Sequence, residues 1–350
     1  MLDIQSMDWR EVVRKNTRKS YIVIALFLII FFALGLLIDV IWRYTQITSY
    51  YPNYTIPFSA VFCALITLKI VPWATIISSA IALIWLLVTF SYYDKIMLAG
   101  TEYHEIHPGD PDPLCQRIYN VTEEMKIAAN MPFIPKVYII EANYMNAFAS
   151  GFSEKSSMVA VTRALAQKLN REELQAVMAH ELTHIRNQDI KLNLFTIVLS
   201  NMLMFMIEFL FWSLLFGGNR SNRRDNNNGN NVMAIIFMVV MILRFILPII
   251  TSMLMLFLSR TREYMADAGA VELMRDNRPM ANALIKISEN HAEPQTAQSY
   301  KQTANERMRR ASYLYDPASA KFAAGNMEDM FSTHPSLKKR LASIGAILKK

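Results

Sequence analysis

From Tyr21 to Trp42 the chain is a continuous apolar run, broken only near its end by Asp39. At ~1.5 Å of helical rise per residue, such a run crosses the ~30 Å hydrocarbon core of a bilayer. This is a severe constraint on the fold, because in lipid every backbone N–H and C=O must be satisfied within the segment itself. The run is too long for the apolar part of a secretory leader, and no small-residue cleavage site follows it. It is therefore expected to be retained as a span.

Three further apolar regions follow. Ile56 to Tyr93 is interrupted by Lys69 and Pro72, which places a span at Trp73 to Tyr93. Residues 56–71 read either as an interfacial helix or as an extension of that span. Leu192–Gly217 and Val232–Leu258 are expected to form a third and a fourth span, joined by "GNRSNRRDNNNGNN" (218–231), a polar stretch with nothing apolar to bury and hence a loop. Composition agrees with about four spans: of 350 residues, 53% are hydrophobic and only 19% charged, with mean hydropathy +0.19.

Basic residues set the orientation. Arg10, Arg14, Lys15, Arg18 and Lys19 precede the first span and only Arg43 follows it closely, which places the N-terminus in the cytoplasm. The chain then returns to the cytoplasm at residue 94 and again at 259. Arg220, Arg223 and Arg224 fall on the outer side, against this bias, and the first helix is taken to dominate. The formal net charge of +7 fits a cytosolic face beside anionic lipid. No nucleic-acid reader motif occurs, and none of the basic residues cluster as such a motif needs, so a nucleic-acid partner is not expected. Glu208 and Arg244 lie at comparable depth in the third and fourth spans. They read either as a facing ion pair or as separate residues reaching for the interface. The two cysteines, Cys63 and Cys115, cannot form a disulfide framework or a thiolate metal site and are read as packing residues.

The polar regions carry the chemistry. Residues 94–190 read as a compact α+β unit: a helix in "PDPLCQRIYNVTEEMKIAANM", strands at "KVYIIE" (136–141) and "SMVAVT" (157–162), and a loop for "EYHEIHPGD" with His104 and His107. A helix then opens with Asn170 as N-cap and Glu173 three residues on, the pattern of a capping box. This helix holds "HELTH". His180 and His184, four residues apart, share a face and can address one ion, and Glu181 lies beside them without being a ligand. Two ligands do not hold zinc. A third is offered by "SRTREYMADAGAVELM" (259–274), directly after the fourth span, where Glu263 and Asp267 stand one turn apart. Glu263 could bind the metal while Asp267 orients a ligand histidine through its distal ring nitrogen.

With "HELTH" (180–184), "SRTREYMAD" (259–267), "NAFASG" (146–151) and "STHPSLKKR" (332–340), the chain resembles the HtpX-type membrane zinc metalloproteases, the group that also contains the prenyl-protein CAAX endopeptidases. The order of two spans, HExxH, two spans and ExxxD agrees. The Asn-rich loop and the insert "HAEPQTAQSYKQTANERMRR" (291–310) depart from the pattern. The resemblance implies a mostly helical α+β fold: an integral membrane protein with about four transmembrane helices and a gluzincin-like zincin domain in the cytosol. It also implies an edge strand that pairs with substrate backbone. Asn146 would contact substrate, and Ala147, Phe148 and Ala149 would form or flank that strand. His334 would help stabilise the oxyanion, with Arg340 supporting the site. Read without the resemblance, Asn146 is a turn residue and His334 starts a helix whose first position is Pro335.

The expected organisation is a basic cytosolic N-terminus (1–20), spans one and two (21–93), a first protease part (94–190), spans three and four with their loop (191–258), and a second protease part (259–350). The expected chemistry is hydrolysis of peptide bonds with one zinc per chain and Glu181 as general base. The substrates implied are polypeptide segments of damaged or misfolded membrane proteins, cleaved at the cytoplasmic side of the inner (plasma) membrane in quality control or stress response. Two rival classes remain. A zinc-binding scaffold or pseudoprotease would have no use for an intact Glu181. A transporter would need ionisable residues converging at mid-membrane and repeat symmetry, and neither is visible.

Overall fold

The computed structural model describes residues 2–4, 8–51, 57–98, 101–151, 154–216, 227–296, 298, 313–315 and 334–348. In chain order these form β1 (Leu2–Ile4), α1 (Trp9–Tyr50), α2 (Phe58–Ile66), α3 (Trp73–Leu98), β2 (Tyr103–Ile106), α4 (Pro113–Ala128), β3 (Lys136–Ile140), β4 (Ala147–Ser150), β5 (Met158–Thr162), α5 (Arg163–Lys168), α6 (Arg171–Arg186), α7 (Asp189–Phe216), α8 (Asn227–Met274) and α9 (Arg278–Ala292). A short helix, Leu337–Ser343, and β6 (Ala346–Leu348) end the described chain. The chain is mostly helical and forms two compact units.

The first unit comprises residues 1–21, 89–193 and 256–350. Its four-stranded sheet has the order β2-β3-β5-β4; β3 and β5 run parallel and the outer strands antiparallel to them. The two inner strands are rich in β-branched residues, and all of β5 and four residues of β3 are buried, as strands covered on both faces require. Around Tyr144, Phe148, Met158 and Tyr313 the sheet packs an aromatic cluster. Helix α6 opens with the capping box expected of its sequence: Asn170 Oδ1 accepts from Glu173 N at 2.8 Å, and Glu173 Oε2 accepts from Asn170 N at 2.9 Å. Lys286 of α9 donates to that same carboxylate oxygen at 2.7 Å, tying α9 to the start of α6.

Three expectations need correction here. His104 is in a strand, β2, opposite Ile139, not in a loop. Of the four residues of β2 only Ile106 is buried, so this outer strand shows no apolar alternation to read. Pro335 does not start a helix; Ser336 is the N-cap and the helix begins at Leu337. Helix α8 begins at Asn227, inside the stretch read as a loop (218–231), since lengthening an existing helix costs far less than nucleating one. Residues 218–226 of that loop, and 297 and 299–310 of the insert, lie outside the described residues.

The second unit comprises residues 22–88 and 194–255 and is built from helices. Among the described residues, three helical stretches are long and apolar enough to cross a membrane: Trp9–Ile47, Asp189–Phe216 and Met233–Met274. A shorter apolar stretch covers Trp73–Thr89. Residues 58–66 form a separate helix, α2, and do not continue the span that follows; Val61 and Leu65 pack on Val40 of α1. Exposed Leu83, Ile84, Trp85, Phe245 and Ile249 make a surface suited to lipid.

Asp39, the one charge in the first apolar run, is a buried helix cap. Its Oδ1 accepts from Ala74 N at 2.8 Å, and its Oδ2 accepts from Thr75 N at 3.0 Å and from Thr75 Oγ1 at 2.8 Å. The first N–H groups of a helix have no partner within it, and the Pro72 side chain before α3 offers no acceptor, so Asp39 supplies one from α1. One turn earlier, a Cβ at Gly35 would lie 2.7 Å from Thr75 Oγ1, so only glycine permits this approach. Glu208 and Arg244 do pair: Arg244 Nε donates to Glu208 Oε1 at 2.6 Å, with the guanidinium 4.2 Å from the Phe211 ring centroid.

Candidate metal centre

The helical period of α6 puts His180 and His184 on one face, and both ring Nε2 atoms point to the same place, 3.1 Å apart. Helix α8 brings Glu263 there. Its Oε2 lies 3.8 Å from His180 Nε2, and its Oε1 lies 3.6 Å from His184 Nε2. The close approach of the two helices depends on Gly269: a Cβ there would sit 2.4 Å from Thr183 Cγ2, beside His184. Ala268 and Ala270 are fully buried on either side. The small residues following Asp267 therefore set the distance between ligands on different helices.

Each histidine faces a carboxylate at its other ring nitrogen, His184 in a well-formed hydrogen bond and His180 at close range with poorer alignment. His180 Nδ1 is 3.1 Å from Asp267 Oδ1, and His184 Nδ1 is 2.7 Å from Asp189 Oδ2. An ionised carboxylate only accepts, so both Nδ1 atoms carry protons and both Nε2 atoms present lone pairs. Two lone pairs facing each other at 3.1 Å repel unless a cation lies between them. Burial pushes the His180 imidazole down to about 4, against the pull of Asp267, which keeps it neutral as a ligand must be. Tetrahedral bonds of ~2.0–2.2 Å to nitrogen and oxygen place donor atoms ~3.3–3.5 Å apart, and the three observed separations bracket this value. The donor set fits zinc.

Around this triangle the charges are arranged in pairs. Arg340, fully buried, donates from Nε and Nη2 to both oxygens of Asp267 at 2.9 and 2.6 Å, and its Nη1 lies 3.2 Å from Glu263 Oε2. Burial would raise the Asp267 carboxyl, but the Arg340 charge and the His180 hydrogen bond hold it below its ordinary range. Burial works the same way on Glu263, and there His334 and Arg340 hold it well down; His334 Nδ1 is 3.5 Å from Glu263 Oε2. Asp189 also forms an ion pair with partly buried Arg262, the residue before Glu263.

Glu181 shifts in the opposite direction. Burial raises its carboxyl to about 8, and Glu263 adds to the rise, while His184, Arg340 and the Ala149 N–H pull it down. Neither oxygen has a hydrogen-bond partner of good geometry among the described residues. A poised carboxyl without a fixed partner is suited to passing a proton.

The Ala147–Ala149 segment is β4, the edge strand of the sheet on this side. Thr162 N donates to Asn146 O at 3.0 Å, so by the antiparallel alternation Ala147 and Ala149 direct their N–H and C=O groups away from β5. Ala147 O accepts from Leu314 N at 2.9 Å. The Asn146 side chain is closed in the same way: Nδ2 donates to Tyr315 O at 2.9 Å, and Oδ1 accepts from Ala147 N and Tyr315 N. Asn146, Ala147, Phe148 and Ala149 are all buried. Of the residues singled out from the sequence, His180, His184, Glu263, Asp267, His334 and Arg340 are thus brought together, while Asn146 is closed on Tyr315 and Phe148 packs with Tyr313 in the aromatic cluster. Asp189 and Arg262 were missed. Asp189 follows a left-handed residue, Gln188 at φ 56°, which turns the chain back between two helices. The only sequence signal for it was an acid just beyond the histidine pair.

Comparison with known proteins fits this geometry. The profile of Peptidase family M48 matches residues 114–348. The chain belongs to this peptidase family. It is 37% identical over 339 residues to "Protease HtpX homolog" of Helicobacter acinonychis (strain Sheeba), covering 97% of this chain and 98% of that one. To the protein of the same name from Helicobacter pylori (strain Shi470) it is 38% identical, covering 96% and 98%. A third, from Limosilactobacillus reuteri (strain DSM 20016), is 33% identical over 76% of this chain and 84% of its own. The crystal structure of S. mikatae Ste24p aligns with TM-score 0.48 and 18% identity, covering 87% of this chain and 62% of that chain. The M48 peptidase described here is therefore an integral membrane metalloprotease of the HtpX type.

Proposed function

We propose that the chain is an endopeptidase with one zinc held by His180, His184 and Glu263, and that Glu181 is its general base. The convergence of three donors on one point, with Glu181 beside them and held by no side-chain hydrogen bond among the described residues, carries this reading. Zinc, when bound, polarises the scissile carbonyl and acidifies water toward a pKa of ~7. Glu181 takes the proton of the attacking water and delivers it to the leaving amine. His334, beside Glu263, helps stabilise the developing oxyanion, and Arg340, bound to Asp267 and close to Glu263, supports the site. The outward-facing C=O of Ala149, and its N–H once released from Glu181, offer the substrate backbone a strand to pair with, giving affinity at little sequence cost. Asn146 would reach substrate only if Tyr315 moved from it; while Tyr315 is in place, Asn146 anchors that segment.

Substrates of this kind are extended, unfolded polypeptides. We infer exposed segments of damaged membrane proteins, cleaved on the cytoplasmic side of the inner membrane. An intact Glu181 weighs against a zinc-binding scaffold without turnover. The test is purified full-length protein in detergent against an unfolded casein-like substrate, with zinc measured in the same samples. Glu181→Gln should retain zinc and lose ~10²–10⁴-fold in turnover. Unchanged turnover would remove Glu181 from the chemistry. Four spans with both protease segments in the cytoplasm require Arg220→Cys and Tyr300→Cys, in a background without native cysteines, to label from opposite sides. Labelling from one side would break that topology.

A further inference from the structure

A second group of metal-ligating side chains lies in the first unit, away from the HExxH helix. His104 on β2, Asp110 in the following turn and Cys115 in the first turn of α4 bring one donor atom each within 4.8 Å of one another. The sequence builds this locally. After β2, Gly109 takes φ +80°, a conformation that a side chain would strain, and the chain reverses. Asp110 Oδ1 accepts from Asp112 N at 3.0 Å, which leaves its second oxygen for the cluster. Asp112 caps α4 by accepting from Leu114 N, Pro113 fills the first helical position, and Cys115 follows on the inner side.

The sulfur–nitrogen separation matches a tetrahedral pair. Cys115 Sγ lies 3.5 Å from His104 Nε2. Tetrahedral bonds of ~2.3 Å to sulfur and ~2.0–2.1 Å to nitrogen put those two atoms ~3.5 Å apart. His104 Nδ1, on the far side of the ring, is 3.8 Å from Glu141 Oε1, beyond hydrogen-bond reach but on the side where a carboxylate would orient a ligand histidine on closing. The local charge also favours a cation. Asp110, Asp112 and Glu141 stand against a single guanidinium, Arg163, which is itself held by Glu141 at 2.6 and 2.7 Å and by Asp112 at 2.9 Å. Cys115 is fully buried while the His104 side chain is 45% exposed, so one donor opens to solvent and the other is sheltered.

We propose that His104, Asp110 and Cys115 form a second metal site, for a divalent d-block ion of the zinc class, with water in the fourth position. Mixed nitrogen, sulfur and oxygen donors in tetrahedral array select such an ion over calcium or magnesium. Binding takes Cys115 as thiolate, its proton passing to solvent; the ion has to displace the contact of Sγ with Asp112 Oδ2 at 3.6 Å and offset the burial and the acidic neighbours that push the free thiol up to about 11. The ion clips the outer strand β2 to the start of α4. Helix α4 in turn braces the HExxH helix, with Gln175 Nε2 donating to Glu124 Oε2 at 2.8 Å.

Cobalt(II) tests this site separately from the catalytic one. The His180–His184–Glu263 centre contains no sulfur, so a near-ultraviolet sulfur-to-cobalt charge-transfer band reports Cys115 alone. Full-length protein in detergent, stripped with chelator and titrated with cobalt, should bind two ions per chain and show that band. Cys115→Ser and the solvent-exposed His104→Ala should each reduce binding to one ion and abolish the band. His184→Ala should lose the other ion and keep it. Should Cys115→Ser fail to fold, His104→Ala decides. One ion per chain without the band in the unsubstituted protein overturns the proposal, as does a band that survives His104→Ala.

Discussion

Two helix crossings in this molecule are built alike and used differently. Within the membrane unit, Gly35 of α1 lies against Thr75 of α3, and one turn further on Asp39 is buried. Within the protease unit, Gly269 of α8 lies against Thr183 of α6, and Asp267, just before it, is buried. In both places glycine allows close approach and an aspartate crosses to the neighbouring helix. At the first, both carboxylate oxygens end on backbone N–H groups and a hydroxyl of α3. At the second, Asp267 engages a histidine whose other nitrogen points at two further donors. A buried polar group with closed valences is structural. One that orients unsatisfied, convergent donors marks a site.

The sharpest way to break this contrast is Asp267→Asn. Asp267 is both the partner of His180 and, among the described residues, the only carboxylate that holds Arg340 through two hydrogen bonds. Removing its charge leaves the buried guanidinium with Glu263, 3.2 Å from Nη1, as its remaining carboxylate among the described residues, which costs up to about 3–5 kcal/mol, and weakens zinc binding ~10–100-fold at the same time. Denaturant unfolding and zinc titration should both shift. A change in zinc affinity without a loss of stability would show that Arg340 is compensated elsewhere.

These two aspartates also show what the sequence makes legible. HExxH and ExxxD declare themselves because helical spacing alone brings their residues to one face. The capping box of α6 and the inner strands are local in the same sense. Asp39 was visible only as an interruption, since its partners on α3 are 35 and 36 residues away. Arg340 was found through family resemblance, and its tie to Asp267 spans 73 residues. Likewise β2 was missed because an outer strand with one buried residue has no period, and with it went the proximity of His104 to Cys115. What local periodicity does not encode, long-range packing decides.

A smaller effect separates orientation from charge balance. Asp189 holds His184 as Asp267 holds His180, but its cation, Arg262, is less deeply buried than Arg340. Asp189→Asn should weaken zinc binding ~10–100-fold with little loss of stability, and excess zinc should restore turnover. Turnover that stays low at saturating zinc would mean that Asp189 does more than orient a ligand.

The smallest expected effect belongs to the closed site. Asp39→Asn keeps the size of the side chain but replaces one acceptor oxygen by an NH2 group, which faces N–H donors and cannot accept from them. At least one of the three hydrogen bonds to α3 is lost, and the cost should be that of a damaged helix cap, about 0.5–2 kcal/mol. Thermal unfolding in detergent should register it. Zinc affinity and turnover per bound zinc should not change, because none of the described partners of Asp39 belongs to the metal centre. A fall in zinc affinity would show that a carboxylate with all its valences closed on one helix can still govern a site built on others.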